Sequence, residues 1–78
     1  MFYTYVLKSK KDEKLYIGSS KDLRKRFIEH NLGHVDATKN RRPFILVYYE
    51  ACINKRKAQN REKYFKTGFG RGFLKNRI

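Results

Sequence analysis

The chain has 78 residues, of which 40% are apolar and 15% aromatic, and its 20 Lys and Arg against 7 Asp and Glu give a formal net charge of +13. This length suits one domain, residues 1–78. The positive charge suits a polyanionic partner, and DNA or RNA is favoured over an anionic membrane. A highly soluble basic protein without such a partner would carry the same charge. The sequence has no apolar run of about 20 residues, which excludes a membrane span, and no signal peptide is expected. Its single cysteine, Cys52, excludes an intrachain disulfide and a cysteine metal site. These features predict a cytoplasmic protein.

The amino-terminal segment predicts a β-hairpin. Phe2–Leu7 is rich in aromatic and β-branched residues, which are typical of a strand. The polar segment Ser9–Lys14 turns the chain, and Leu15–Gly18 returns as a second strand.

A helix is predicted next. Either Ser20 or Asp22 can cap its first turn, and Gly33 is a natural end. The helical spacing comes from three apolar residues: Leu23, Phe27 and Leu32. A polar, basic loop follows over residues 34–42.

The second half predicts one strand and two helices. Phe44–Glu50 carries apolar residues on both faces, as expected of a covered strand. Asn54 can cap a helix from Lys55 to about Lys66, and a glycine-containing segment then leads to a short final helix over Phe73–Ile78. The order ββαβαα predicts an α+β fold: a small three-stranded antiparallel sheet flanked by helices.

Glu62 is the only carboxylate between Ala51 and Ile78, a segment that also contains nine Lys and Arg side chains. At about 100° per residue, Ala58, Glu62 and Phe65 share the helix face that is normally buried. A buried carboxylate is costly without a cation, a metal or a hydrogen-bond donor. We therefore expect Glu62 to have a specific partner.

Arg26 and His30 are neighbours at i, i+4 on the first helix and border its apolar stripe, whereas Lys25 and Glu29 point toward solvent. Taken alone, Arg26 and His30 could simply be amphipathic side chains that flank the core.

Alternation along the hairpin places Tyr3, Tyr5 and Leu7 on one face of the first strand, and Tyr16 and Gly18 on one face of the second. Such tyrosines are usually cross-strand packing pairs, and a glycine inside a strand often marks a close approach.

Together these residues resemble the GIY-YIG nuclease domain family, as a small stand-alone member. Tyr16-Ile17-Gly18 matches the second half of its motif, and Tyr3-Thr4-Tyr5 keeps the final tyrosine of the first half but lacks the initial glycine. Lys21–His30 is similar to the family's first helix, and Arg61-Glu62-Lys63 to its glutamate segment.

The resemblance implies a Mg²⁺-dependent phosphodiester hydrolase. Our first hypothesis is an endonuclease that hydrolyses phosphodiester bonds in DNA, in branched, damaged or single-stranded forms such as those met in DNA repair. In that interpretation Glu62 holds the metal, Arg26 stabilises the charge on the phosphate, and His30 assists proton transfer. Tyr5 and Tyr16 bind or deprotonate the attacking water, a task for which tyrosine needs a stabilised phenolate because its ordinary pKa is near 10. Asn76 is the nearest candidate for the family's late asparagine near the phosphate.

A site with one metal fits the scattered carboxylates better than a site with two, and oxygen ligands favour Mg²⁺, with Mn²⁺ as a substitute. The other cations are expected to contact phosphates without reading sequence: Lys8, Lys21, Arg41, Arg42, Arg61, Lys63 and Lys66. Two alternatives stay open, a non-catalytic basic DNA- or RNA-binding module on the same scaffold and a basic protein associated with RNA. The protein is expected to be a monomer or a weak dimer.

Overall fold

The structure is a computed structural model that describes all residues, 1–78. It confirms the predicted α+β fold and the order ββαβαα, with one additional turn of 3₁₀ helix at Lys39–Arg41. The elements are β1 (Phe2–Ser9), β2 (Leu15–Ser20), α1 (Leu23–Leu32), β3 (Phe44–Cys52), α2 (Lys55–Phe65) and α3 (Gly68–Lys75). None of the helices has the length and hydrophobicity needed to cross a bilayer.

The sheet is antiparallel with strand order β2-β1-β3, so β1 is the central strand and is buried on both faces. On one face Tyr5 and Leu7 pack with Phe44 and the apolar side of α1. On the other face Val6 packs with Phe65 of α2 and with α3. The sheet therefore separates two small cores, and helices cover both of its faces.

Helix ends lie where capping residues occur in the sequence. The carboxylate of Asp22 accepts the backbone N–H of Lys25 at the start of α1, so Asp22 rather than Ser20 is the cap. Gly33 ends α1 with φ of 82°, a conformation that glycine adopts without steric cost. The side chain of Asn54 accepts the N–H of Lys57 and caps α2 as predicted.

The last helix begins at Gly68, five residues before the predicted start at Phe73, so that prediction was wrong. Thr67 is the reason, because its hydroxyl oxygen accepts the backbone N–H of Gly70 and forms an N-cap. Gly70 is glycine for a packing reason: a Cβ there would collide with the carbonyl oxygen of Tyr64. The glycines that suggested a loop are thus helical residues, and Gly70 allows α3 to approach α2 closely.

The predictions of a covered third strand and of an apolar stripe reaching Leu32 were also wrong. β3 pairs only with β1 and forms an edge of the sheet. Its side chains Leu46 and Tyr49 are 37% and 54% exposed, and Leu32 at the end of α1 is 58% exposed. Helix α1 is too short to cover this side of the sheet, which leaves part of the β3 face open to solvent.

Candidate active site

Tyr5 and His30 form the buried centre of the candidate site. The Tyr5 hydroxyl lies 2.9 Å from Nε2 of His30, which is fully buried, and Nδ1 of His30 lies 2.7 Å from the hydroxyl oxygen of Thr38. Gly18 is paired with Tyr5 across the hairpin, and a Cβ at Gly18 would come within 2.5 Å of the Tyr5 hydroxyl oxygen. The glycine of the second motif half thus makes room for the phenol of the first.

The hydrogen-bond network assigns the tautomer of His30. The Thr38 hydroxyl donates to the carbonyl oxygen of Val35, so its oxygen is free to accept Nδ1–H of His30. Nε2 then accepts the hydrogen of the Tyr5 hydroxyl. Burial, together with the positive charge of Arg26, lowers the pKa of His30 below its ordinary value of 6.5, and Glu29 opposes this only partly. His30 is therefore a neutral hydrogen-bond acceptor at neutral pH.

Tyr5 is held as a neutral phenol. Burial raises its pKa to about 12, and the guanidinium of Arg26, which favours the phenolate, does not offset this. The charges of Tyr16 and Glu62 contribute to the same rise in the pKa. Tyr5 could act as a base by itself only as a stabilised phenolate. The protein alone does not stabilise that phenolate.

Arg26 and Tyr16 complete this side of the site, as the helical and strand spacings predict. The Tyr16 ring contacts His30 edge-on, with 5.1 Å between the ring centroids. The guanidinium of Arg26 lies near the Tyr5 hydroxyl and 3.6 Å from a carboxylate oxygen of Glu29. Glu29 therefore pairs with Arg26 and does not simply face solvent as expected. Arg26 is half-exposed, so its guanidinium can reach a bound anion.

Glu62 has the partners that its position predicts. Its Oε1 accepts the Ser19 hydroxyl at 2.7 Å, and its Oε2 accepts Nζ of Lys66 at 2.9 Å. Its side chain is 25% exposed, so the carboxylate is half-buried rather than sequestered. Because Ser19 follows Gly18 directly, the carboxylate from α2 meets the sheet one residue away from the Tyr5 phenol.

The donor set around Glu62 fits one hard cation. No group of three or more His, Cys, Asp or Glu side chains that could hold a metal comes together in the structure. Mg²⁺ commonly binds through one or two carboxylates while it keeps several waters, and the Glu62 carboxylate beside the Ser19 hydroxyl offers oxygen ligands at a solvent-accessible edge. Metal binding there requires that Lys66, whose side chain is exposed, release Oε2.

Two of the cations predicted to bind nucleic acid are engaged within the fold. Arg41 donates to Asp12 at 2.7 Å and to the carbonyl oxygen of Lys14, which braces the hairpin turn. Arg61 donates to Glu50 at 2.7 Å and lies over three aromatic rings, among them Phe65 at 4.6 Å. These contacts give Arg41 and Arg61 structural roles. Arg42, in contrast, bonds only to a neighbouring backbone carbonyl.

The remaining predicted contacts lie at the surface. Lys8 pairs with Glu13 at 3.3 Å, whereas Lys21 and Lys63 are exposed and have no carboxylate within ion-pair distance. Lys63 lies beside Glu62 and Lys66 in a polar hollow on α2. Asn76 is exposed at the end of α3, where it is the helix C-cap. Their contacts with nucleic acid stay predictions.

Two residues of the site were not found from the sequence. Ser19 anchors Glu62, and strand alternation could have indicated it, since Ser19 shares the face of Ile17 that packs toward α2. Thr38 orients His30, but it lies in a polar loop without periodicity, so no sequence signal marked it.

The chain is similar in sequence to known proteins. The family model described as "GIY-YIG catalytic domain" matches residues 1–76. The chain is similar to UPF0213 proteins: 49% identical to one from Clostridium perfringens, over 85% of this chain and 71% of that protein. It is 47% identical to one from Staphylococcus saprophyticus, over 83% of this chain and 79% of that protein. No solved structure matches the chain significantly.

Proposed function

Because this chain belongs to the GIY-YIG family, a nuclease-type family, we propose that it is a metal-dependent endonuclease that hydrolyses phosphodiester bonds in DNA. One observation supports this most strongly. The Tyr5–His30 pair lies at Gly18, and the Glu62 carboxylate lies at the next residue, Ser19. A proton-accepting pair and a possible metal ligand thus flank consecutive residues of β2, one on each face of the strand.

The Tyr5–His30 pair is suited to a relay of protons. Tyr5 accepts a proton from the attacking water while its own hydroxyl proton moves to Nε2 of His30, so no free phenolate forms. This arrangement is consistent with the raised pKa of Tyr5 and with the lowered pKa of His30, which keeps Nε2 available as an acceptor. Tyr16, packed against the His30 ring, would hold the water in position.

Arg26 and Glu62 act on the phosphate side of the reaction. The exposed edge of the Arg26 guanidinium would stabilise the charge that develops on the phosphate oxygens. Glu62, oriented by Ser19, would hold Mg²⁺ or Mn²⁺. When bound, the metal supplies Lewis-acid stabilisation of the phosphate and the leaving oxygen.

DNA is the proposed substrate because the net charge of +13 suits a polyanion and the exposed cations can contact its backbone without reading sequence. Affinity should therefore fall steeply with salt.

Plasmid nicking in Mg²⁺, with and without EDTA, tests the function. Glu62→Gln and Arg26→Ala should each reduce nicking by about a hundredfold or more while circular dichroism shows an intact fold. Lys25→Ala, at an exposed neighbour of Arg26, is the matched control and should keep wild-type activity. Full nicking by both site variants would contradict the proposal.

One observation favours a second candidate, a non-catalytic module that binds DNA or RNA. Both carboxylate oxygens of Glu62 already have protein donors, Ser19 and Lys66, so the carboxylate is satisfied without a metal. This candidate predicts salt-sensitive binding without turnover. Nicking that requires Mg²⁺ and stops in EDTA would exclude it.

A further inference from the structure

An open groove lies on the α1 face of the sheet, on the side of α1 next to β3. Its volume is about 700 Å³, and its apolar lining comes from Tyr3 and Phe27 together with Leu46 and Tyr49 of the uncovered β3 face. Tyr3 and Tyr49 form a tilted pair with 6.2 Å between ring centroids. We call this feature the aromatic groove. An exposed apolar surface rimmed by polar groups typically marks an interaction site.

The rim of the aromatic groove is basic. Lys21 and Arg24 line it, both are exposed, and neither forms an ion pair or a side-chain hydrogen bond within the protein. Asp22 also lies at the rim, but its carboxylate caps α1 by accepting the N–H of Lys25. Two unpaired cations above aromatic rings complement a ligand that combines a flat ring with a negative charge.

The position of the groove connects it to the candidate active site. Tyr3 is paired with Ser20 in the hairpin, and the next pair joins Thr4 to Ser19, whose hydroxyl binds Glu62. Tyr3 also lies two residues before Tyr5 on the same face of β1, about 7 Å along the strand. The groove therefore begins beside Tyr5, the residue proposed to act on the attacking water.

We propose that the aromatic groove binds an unpaired base of the nucleic-acid strand that is being cut. The base stacks on Tyr49 and its phosphate contacts Lys21 or Arg24, as in proteins that bind single strands through aromatic platforms in basic channels. A base inside a duplex is stacked on its neighbours and does not offer its face to Tyr49. The inference rests on the proposed function, and it makes single-stranded or junction DNA the substrate class.

Fluorescence anisotropy of a labelled oligothymidylate and of a duplex, both in EDTA, tests the groove separately from catalysis. Tyr49→Ala should weaken single-strand binding about tenfold or more and leave duplex binding within about twofold, and Tyr49→Phe should restore the single-strand affinity because it keeps the ring. Phe69→Ala is the matched control, because Phe69 is 86% exposed but lies on α3, away from the groove. It should change neither affinity.

A second measurement uses the absence of tryptophan from the chain. Tyr49→Trp places a single reporter in the groove, and the oligothymidylate should quench its fluorescence, whereas Phe69→Trp should show no quenching. Any of three results would contradict binding in the groove. These are unchanged single-strand affinity in Tyr49→Ala, an equal loss of duplex affinity, and quenching only at position 69. If the groove binds single strands but no DNA is cut in Mg²⁺, the groove stands and the nuclease function fails.

Discussion

Tyr5 and Gly18 are paired across β1 and β2, and the phenol of Tyr5 occupies the space that any side chain at position 18 would need. The two residues come from the two halves of the family motif. Their contact explains in physical terms why the second half ends in glycine. It also brings the Tyr5 hydroxyl to the edge strand, within reach of His30.

Gly18→Ala should therefore damage both fold and site. The added methyl group would lie 2.5–2.6 Å from the Tyr5 hydroxyl and Cζ, and Tyr5 is buried and has little room to move. We expect a loss of about 1–3 kcal/mol in the free energy of unfolding, measured by urea denaturation. Gly72→Ala is the matched control: nothing lies within 4 Å of a Cβ there, so alanine should stabilise α3 by about 0.5–1 kcal/mol. Equal effects of the two substitutions would contradict the packing argument.

Ser19→Ala should loosen Glu62 without unfolding the protein. Removing the 2.7 Å hydrogen bond leaves Oε1 of Glu62 without its donor, so that only Lys66 still holds the carboxylate. A hydrogen bond to a charged group contributes about 1.5–3 kcal/mol, less where water can replace the donor. We expect cleavage to fall about tenfold. Ser20→Ala is the control, because the Ser20 hydroxyl contacts only the backbone of Asp22. A cleavage rate in Ser19→Ala equal to that of Ser20→Ala would show that Ser19 does not position Glu62.

Lys66→Gln should tighten metal binding. The ammonium of Lys66 competes with a cation for Oε2 of Glu62, and the side chain is exposed, so the competition is modest. The dissociation constant for Mn²⁺, measured by calorimetry without nucleic acid, should fall about threefold to tenfold. Lys63→Gln removes a neighbouring charge that forms no ion pair and should have the smaller effect. Weaker or unchanged Mn²⁺ binding in Lys66→Gln would argue against Glu62 as the metal ligand.

His30 should make stability depend on pH. Burial lowers its pKa in the folded state below the ordinary value of 6.5, so the unfolded chain binds this proton more readily. Stability contributed by neutral His30 is present above 6.5 and is lost as the pH falls below it. The free energy of unfolding, measured across this range, should decrease with falling pH in the wild type and less steeply in His30→Gln. His34→Gln, at an exposed histidine, is the control and should retain the wild-type pH dependence of the free energy of unfolding. If this variant lost as much of the pH dependence as His30→Gln, His30 would not be its cause.

The local signals in the sequence were sufficient for most of the fold. Strand composition, the caps at Asp22 and Asn54 and the end at Gly33 depend on neighbouring residues, and the structure confirms each of them. The start of α3 was missed because a side-chain cap at Thr67 and close packing at Gly70 outweigh the low helix propensity of glycine. The exposure of β3 was missed because the apolar content of a strand does not reveal whether a helix covers it.

Motif and spacing together predict the site residues, and the structure brings them to the two faces of β2: Tyr5, Tyr16, Arg26, His30 and Glu62. Their roles in catalysis stay predictions. The charge states were less accessible to prediction. The burial that raises the pKa of Tyr5 and the Thr38 contact that fixes the His30 tautomer arise only when distant segments pack together.

The side chain of Thr4 connects helix α2 to the central strand of the sheet. Its hydroxyl donates a 2.7 Å hydrogen bond to the carbonyl oxygen of Ala58, which fastens α2 to the central strand one residue before Tyr5. A small slide of that helix would carry Glu62 away while the tyrosine and histidine stay in place. The alignment of the Glu62 carboxylate with Tyr5 and His30 therefore depends on the contact between α2 and β1.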